Sequence, residues 1–403
     1  MKRALILTYD YPPCTAPGAA VRSQKLAQYL PEFGWEASVV CRDERLSART
    51  KPESGVVRIG TPIPPWLSYQ LGAWVWAARI LPRVRALLRE THFDLLYASS
   101  PPFPHALSAV RLAREAGIPL VVDFRDAWSL DPYLGGGPIK RLAKRALCRW
   151  LYPPLERRVM VSADAVVVCT PSMCAAYARL LGPAERRVHL VTNGFDEADF
   201  GDAVERPVRD RLLLLYCGRF SGIAERSPDL LLHAMRTAVD AGCRIQLNIL
   251  GDDSEALRRS IRRFGLTGCV RACAPVPHTE AVRAMRTADI LVVCQPPSRN
   301  GVTAAAGKTY EYLRCGLPIF ALVPPGDNAD LVRRYAPVHA LVTSGDPAAV
   351  ADAIVHLPDA VRSATDPPPD PEFLANYNRR RIAELIAGIF DSVLTTTSAH
   401  PAA

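Results

Sequence analysis

Gly301-Val-Thr-Ala-Ala-Ala-Gly307-Lys308-Thr-Tyr-Glu311-Tyr-Leu-Arg-Cys-Gly316-Leu-Pro-Ile319 joins a glycine-bounded loop, a short helix and the start of an apolar strand. Lys308 and Glu311 are three apart and share one helix face. Gly316 stands where a helix ends in the left-handed conformation. The apolar run Ile319–Val323 that follows shows no polar alternation, the pattern of a strand covered on both faces of a parallel sheet. A helix N-terminus behind a glycine-rich loop, a cation for phosphate and a carboxylate for vicinal ribose hydroxyls together make a nucleotide site. The same Lys308–Glu311 pair also reads as a surface ion pair worth tenths of a kcal/mol.

Outward from this stretch, the same alternation fills the chain. Ala4–Tyr9, Ala37–Cys41, Leu95–Ser99, Leu120–Phe124, Ala165–Cys169 and Val188–Val191 read as one series of buried strands. Leu212–Cys217, Ile245–Leu250, Val270–Cys273, Ile290–Cys294, Ile319–Val323 and Ala340–Val342 form a second. Helical-period segments lie between them: Ser23–Phe33, Ala106–Ala116, Asp229–Ala241, Ser254–Phe264 and Lys308–Cys315. Two such series predict an α/β protein of two Rossmann-like domains facing each other across a cleft. The join falls between Asn193 and Asp210, where glycine, proline and acidic residues replace apolar periodicity. The expected division is 1–195, 196–370 and a crossover helix with tail, 371–403. In it Phe373–Ile389 returns to the first domain and Thr395–Ala403 frays.

Composition narrows the class. The 403 residues are 49% hydrophobic and 22% charged, proportions that exclude a disordered or collagen-like chain. The net charge of +9 suits anionic partners. No zinc finger, aromatic RNA-binding signature or heptad-linked basic region accompanies it, which argues against nucleic acid. The 11 cysteines include no Cys-x-x-Cys and read as reduced, mostly buried thiols of a cytoplasmic protein. The apolar run after Met1-Lys2-Arg3 ends at Thr8-Tyr9-Asp10, so it reads as a first strand rather than a signal segment. Leu71–Leu81, interrupted by Arg79, is too short to span a bilayer.

Ligands of parallel sheets bind beyond the carboxyl ends of the strands, so chemistry belongs in the loops that follow them. The loop from Tyr9 through Gly18 into a helix bearing Arg22 offers backbone N–H groups to an anion, or is a plain strand-to-helix turn. Asp123-Phe124-Arg125-Asp126-Ala127-Trp128 places three charges at a strand end, where a carboxylate can orient or deprotonate an acceptor hydroxyl. A local Arg125–Asp ion pair is the structural alternative. Gly218 lets the backbone approach a ligand, and Arg219 with Arg226 can clamp a diphosphate.

Read in order, these segments resemble a bacterial GT-B glycosyltransferase of the large retaining family 4 group. The resemblance is carried by Tyr11-Pro12-Pro13 with Gly18 and Arg22, Tyr29-Leu-Pro-Glu-Phe-Gly-Trp-Glu36, Asp123–Trp128, Asn193-Gly-Phe-Asp196, Gly218-Arg219, Leu250-Gly251-Asp252 and Lys308-Thr-Tyr-Glu311-Tyr-Leu313. It implies sugar transfer from a nucleotide-sugar to a glycan or lipid-linked hydroxyl, in polysaccharide or glycoconjugate synthesis. Glu311 would bind the donor ribose, and Arg219 and Arg226 would neutralise the departing diphosphate. Gly18, Gly251 and Lys308 would complete the donor site. Asp126 joins Arg219 and Arg226 as catalytic, with Arg125, Asp126 and Trp128 on the acceptor side.

The resemblance also implies front-face transfer with retention. No Asp-x-Asp occurs in the chain, which agrees with a transferase needing neither metal nor cofactor beyond its UDP- or GDP-type co-substrate. Two departures stand out. Thr303 occupies the place, eight before Glu311, where many members carry a second glutamate, and Arg125-Asp126 stands where many carry a histidine. A non-catalytic scaffold and a nucleotide-sugar epimerase of the same architecture are the other readings.

Two aromatic and basic segments suit an anionic membrane face, placing the protein at the inner side of the cytoplasmic membrane. One is Trp66, Tyr69, Trp74 and Trp76 followed by Arg79, Arg83, Arg85 and Arg89. The other is Lys140, Arg141, Lys144, Arg145 and Arg149 with Trp150 and Tyr152. Core tryptophans on solvated basic helices are the alternative. Oligomeric state has no sequence signal.

Overall fold

A computed structural model describes residues 1–14, 17–43, 55–63, 69–129, 142, 145–202, 204–220, 227–295, 302–363 and 368–399. Two parallel sheets organise the chain. The first contains β1 (Lys2–Thr8), β2 (Trp35–Asp43), β3 (Val56–Gly60), β4 (Leu95–Ser100), β5 (Leu120–Phe124), β6 (Ala165–Val168) and β7 (Val188–Leu190), in the order β3-β2-β1-β4-β5-β6-β7. The second contains β8 (Leu212–Cys217), β9 (Ile245–Leu250), β10 (Val270–Cys273), β11 (Ile290–Cys294), β12 (Ile319–Leu322) and β13 (His339–Val342), in the order β10-β9-β8-β11-β12-β13.

Each sheet therefore reverses its winding once, between β1 and β4 and between β8 and β11. A crevice opens at such a reversal because the two flanking loops run to opposite faces.

In the first unit the helices are α1 (Pro17–Tyr29), α2 (Tyr69–Glu90), α3 (Pro104–Ala116), α4 (Tyr152–Ser162) and α5 (Pro171–Leu181). In the second they are α6 (Asp229–Asp240), α7 (Glu255–Arg263), α8 (His278–Thr287), α9 (Gly307–Cys315), α10 (Asp327–Tyr335), α11 (Pro347–Ser363) and α12 (Pro371–Asn376). The final helix, α13 (Arg379–Ala399), belongs to the first unit. That unit comprises Met1–Pro132, Ala146–Asn193 and Arg379–Ala403, and the second comprises Tyr133–Arg145 and Gly194–Asn378.

The alternation of strand side chains builds two cores per sheet. Leu5 and Leu7 face Trp76 and Ile80 of α2, while Ala4 and Ile6 share a cluster with Ile386 and Phe390 of α13. Trp35 Nε1 donates to Asp391 Oδ1 at 2.9 Å, and Lys2 pairs with the same carboxylate, fixing α13 against β1 and β2. In the second unit Leu214 and Tyr216 face α6, and Leu215 faces the cluster of Tyr310, Tyr312 and Phe373.

Three expectations are corrected. Phe373–Ile389 is not one helix: it breaks at Tyr377-Asn378, where Tyr377 O accepts from Phe195 N at 3.0 Å and Phe373 stacks on Phe195 and Tyr377. This aromatic anchoring holds α12 in the second unit before α13 starts. The tail does not fray at Thr395, since α13 continues to Ala399. β3 was not expected; all five of its residues are half-buried, so it lacks a fully apolar signature.

Candidate functional site

The carboxyl ends of β8 and β9 are brought together by two glycines. Gly218 N donates to Leu250 O at 2.8 Å, and Gly251 N donates to Cys273 O at 3.0 Å. Both have positive φ, 147° and 110°, a region that side chains strain to enter. A Cβ at Gly251 would stand 3.4 Å from Gly218 O, and one at Gly218 would overlap the Lys308 ammonium. Gly251 is thus required by its backbone conformation rather than by space, while Gly218 also leaves room for a cation.

The next residues are anchored on both sides of Arg219. Phe220 N donates to the buried Asp252 carboxylate at 2.9 Å, and its ring stacks on Tyr216 at 4.4 Å. Arg219 lies exposed between these fixed points.

Across the winding reversal from β8, the short loop 304–306 opens α9, whose N-terminal N–H groups carry partial positive charge. Lys308, in the first turn, reaches back so that its amine lies 4.1 Å from the Tyr216 ring centroid, over its face. Glu311 is one turn further on and mostly buried. Tyr312 Oη accepts from Cys217 N at 2.9 Å, clamping α9 to the end of β8. Gly316 closes the helix in the left-handed conformation, with φ 69°.

Burial pushes the Cys217 thiol up to about 11, with the Lys308 ammonium opposing and the Glu311 carboxylate adding to the rise. That thiol therefore stays protonated at neutral pH. His278, at the start of α8, places Nε2 3.4 Å from Glu311 Oε1 and 3.3 Å from Asp199 Oδ2. Sequence reading missed His278 because its partners come from two other elements. Gln295 Oε1, Thr309 Oγ1 and the Asn328 amide, around the same loop and the start of α10, are buried without a hydrogen-bond partner. Such atoms require a bound water or ligand group to satisfy them.

Within the second unit the structure thus brings Gly218, Arg219, Gly251, Lys308 and Glu311 to one sheet edge. Arg226 lies outside the described residues.

The first unit presents a different chemistry at the ends of β1, β4 and β5. Gly18 lies in the first turn of α1. Arg22, further along, is buried and pairs with the fully buried Asp123 through Nε–Oδ2 at 2.8 Å and Nη2–Oδ1 at 3.1 Å. Tyr97 Oη and Ser99 Oγ also donate to Asp123, and Arg22 donates to Val191 O and Thr192 O. Burial opposes the Arg22 charge, but the Asp123 carboxylate outweighs it and holds the pKa above the ordinary value. Asp123 is therefore a structural tie rather than an acceptor-side group.

Arg125 donates to Pro101 O at 2.8 Å and is half-buried. Asp126, next in the chain, is exposed. Trp128 departs from its expected place at the acceptor: it is buried, its ring stacks on Phe103 at 5.0 Å, and its backbone N–H donates to Tyr177 Oη and Glu156 Oε1. Burial raises the Glu156 pKa, which its donors Ser129 and Tyr177 oppose.

A polar cluster not singled out in the sequence surrounds Asp10. Tyr69 Oη donates to Asp10 Oδ2 at 2.6 Å, Arg42 Nη2 lies 3.3 Å from Oδ1, and the Arg42 guanidinium covers the Tyr9 ring at 4.4 Å.

Of the first aromatic segment, Trp76 is buried against Tyr9 and His105, and Tyr69 is committed to Asp10. Trp74, Arg79, Arg83 and Arg89 of the same segment are exposed. Trp66, Lys140, Arg141 and Lys144 lie outside the described residues. No described helix is long and apolar enough to cross a membrane.

Residues 17–194 match a glycosyl transferase 4-like domain, and residues 211–359 match the glycosyl transferases group 1 family. The chain is 23% identical over 309 residues to a glycogen synthase of Mycobacterium tuberculosis, covering 72% of each chain. It is 25% identical over 356 residues to a phosphatidyl-myo-inositol mannosyltransferase of Mycobacterium leprae, covering 85% of each. Its fold is similar to sucrose-phosphate synthase from Thermosynechococcus elongatus, with TM-score 0.66, 16% identity and coverage of 98% of this chain and 100% of that one. It is also similar to Anabaena HepE in complex with UDP and glucose, with TM-score 0.55, 16% identity and coverage of 99% and 100%.

Proposed function

Because the chain belongs to the GT-B glycosyltransferases, enzymes that transfer a sugar from an activated donor, we propose how its own residues carry out that transfer. The donor is a nucleoside diphosphate sugar held at the edge of the second sheet. The acceptor is a hydroxyl of a glycan or lipid-linked sugar, and transfer proceeds with retention of anomeric configuration, without metal or further cofactor. The protein acts in polysaccharide or glycoconjugate synthesis, in peripheral contact with an anionic membrane.

One observation carries the donor assignment. Lys308 and Glu311 lie one turn apart on the helix that starts at the winding reversal, with the Lys308 ammonium against Gly218. Glu311 accepts the ribose hydroxyls. Lys308, Arg219, Arg226 and the N–H groups at the start of α9 stabilise negative charge as the diphosphate departs, the task that cations in a water-poor site perform best. Asp126 orients the acceptor hydroxyl, with Arg125 and Trp128 supporting its loop, and the leaving phosphate receives the hydroxyl proton.

Thermal unfolding with UDP, GDP, ADP and dTDP sugars tests this function. A donor at 100 times its Kd adds about 2.7 kcal/mol to the folded state, so one nucleotide class raises Tm selectively. Slow donor hydrolysis without acceptor distinguishes a transferase from a binding scaffold. Interconversion of free nucleotide-sugars would instead identify an epimerase, and the anomeric configuration of the product tests retention.

A further inference from the structure

Leu147–Leu151 forms a π-helical turn that α4 continues to Ser162. Its inward face carries Cys148, Glu156, Val159 and Met160, all buried. Leu147, Trp150, Leu151, Arg157, Arg158 and Val161 recur at the spacing of a single helical stripe, and all are exposed. An amphipathic helix on a globular protein normally turns its apolar stripe inward. Here the outer stripe is apolar as well: Leu147 is 37% exposed, Trp150 72%, Leu151 46% and Val161 49%.

The charge on this face has one sign. Glu156 is the segment's sole acid and is turned inward to Tyr177 and Ser129, leaving Arg149, Arg157 and Arg158 outside. Arg149 lies 5.2 Å from the Trp150 ring centroid. Beside the stripe, a groove of about 550 Å³ between α3 and α4 is floored by Leu107, Val110 and Leu155 and edged by Arg111, Arg114 and Arg158. Its one acid, Glu115, is bracketed by Arg85 and Arg111.

We propose that this face docks the protein on an anionic lipid bilayer, with Leu147, Trp150, Leu151 and Val161 entering the headgroup boundary and Arg149, Arg157 and Arg158 meeting lipid phosphates. The inference deepens the membrane contact of the proposed function by assigning its surface. An amphipathic aromatic ring flanked by cations is at home at a charged bilayer interface. An acidic polymer would engage the arginines but leave four apolar side chains in water. A second copy would bring like-charged arginines together across a two-fold axis.

Flotation of the full-length chain with phosphatidylcholine vesicles, with and without phosphatidylglycerol, tests the docking face. Binding is expected only with phosphatidylglycerol and weakens with salt. Trp150→Ala with Leu151→Ala, and separately Arg157→Glu with Arg158→Glu, each lower partitioning by at least about tenfold. Circular dichroism and the nucleotide-induced rise in Tm stay unchanged, which separates this proposal from the donor assignment. Absence of binding, equal binding to both vesicles, or binding indifferent to the variants would overturn it. So would self-association that these substitutions abolish, which would assign the face to a second copy.

Discussion

His278 Nε2 lies 3.4 Å from Glu311 Oε1 and 3.3 Å from Asp199 Oδ2, so a single imidazole stands between carboxylates from two other elements. Glu311 is thereby oriented before any ligand arrives. His278→Ala removes one contact that orients that carboxylate, and a partly exposed pair of this kind is worth about 0.2–1 kcal/mol. The expected outcome is donor affinity lowered by up to about fivefold, with kcat at saturating donor nearly unchanged. Donor titration and steady-state kinetics on the same variant check the split.

Gly218 meets two constraints at once, φ of 147° and the Lys308 ammonium where a Cβ would stand. Gly218→Ala must shift either the backbone or the cation. Strain of about 1–3 kcal/mol is expected, together with a fall in donor affinity. Chemical denaturation measures the first and calorimetric titration the second. Gly117, which ends α3 at φ 65° with open space around its Cβ position, is the control. Gly117→Ala brings a comparable backbone penalty and leaves donor affinity unchanged.

The Arg22–Asp123 pair is buried, so each charge depends on the other for solvation. Removing one partner of such a pair costs about 3–5 kcal/mol. Asp123→Asn and Arg22→Met are each expected to destabilise the first unit in this range in urea denaturation. The double variant should be less destabilised than the two singles added together.

The two sheets were legible because their strands are continuous apolar runs that only double-sided burial explains, as in Ala165–Val168 and Ile290–Cys294. The Gly301–Ile319 stretch was legible because its helix, cap and following strand are consecutive in sequence. What stayed hidden depends on contacts between distant residues. Asp123 reads as one charge among three at a loop, yet Arg22, 101 positions away, claims it. Trp128 reads as an acceptor-side residue, yet its ring is buried and stacks on Phe103. Trp150 and Trp76 look alike in sequence, but one is exposed and the other buried in the core against His105.

His105 is fully buried, and desolvation lowers its pKa to about 4, with Nε2 3.0 Å from Ser99 O. The unfolded chain binds this proton near pH 6.5, so between about pH 6.5 and 4 the unfolded state holds more protons than the folded one. The stability contribution is fully present above pH 6.5 and is lost as pH falls, by up to about 1.4 kcal/mol per unit. Urea midpoints measured across that interval should fall with pH, and His105→Gln should flatten the slope.

Calorimetric titration of the nucleoside diphosphate that raises Tm, into wild-type protein and into Glu311→Ala, tests the donor-site assignment most directly. Loss of a charge-assisted hydrogen bond of about 1.5–3 kcal/mol lowers affinity by about tenfold to a hundredfold, with the urea midpoint retained. A folded Glu311→Ala protein that binds the same nucleotide with wild-type affinity contradicts the assignment.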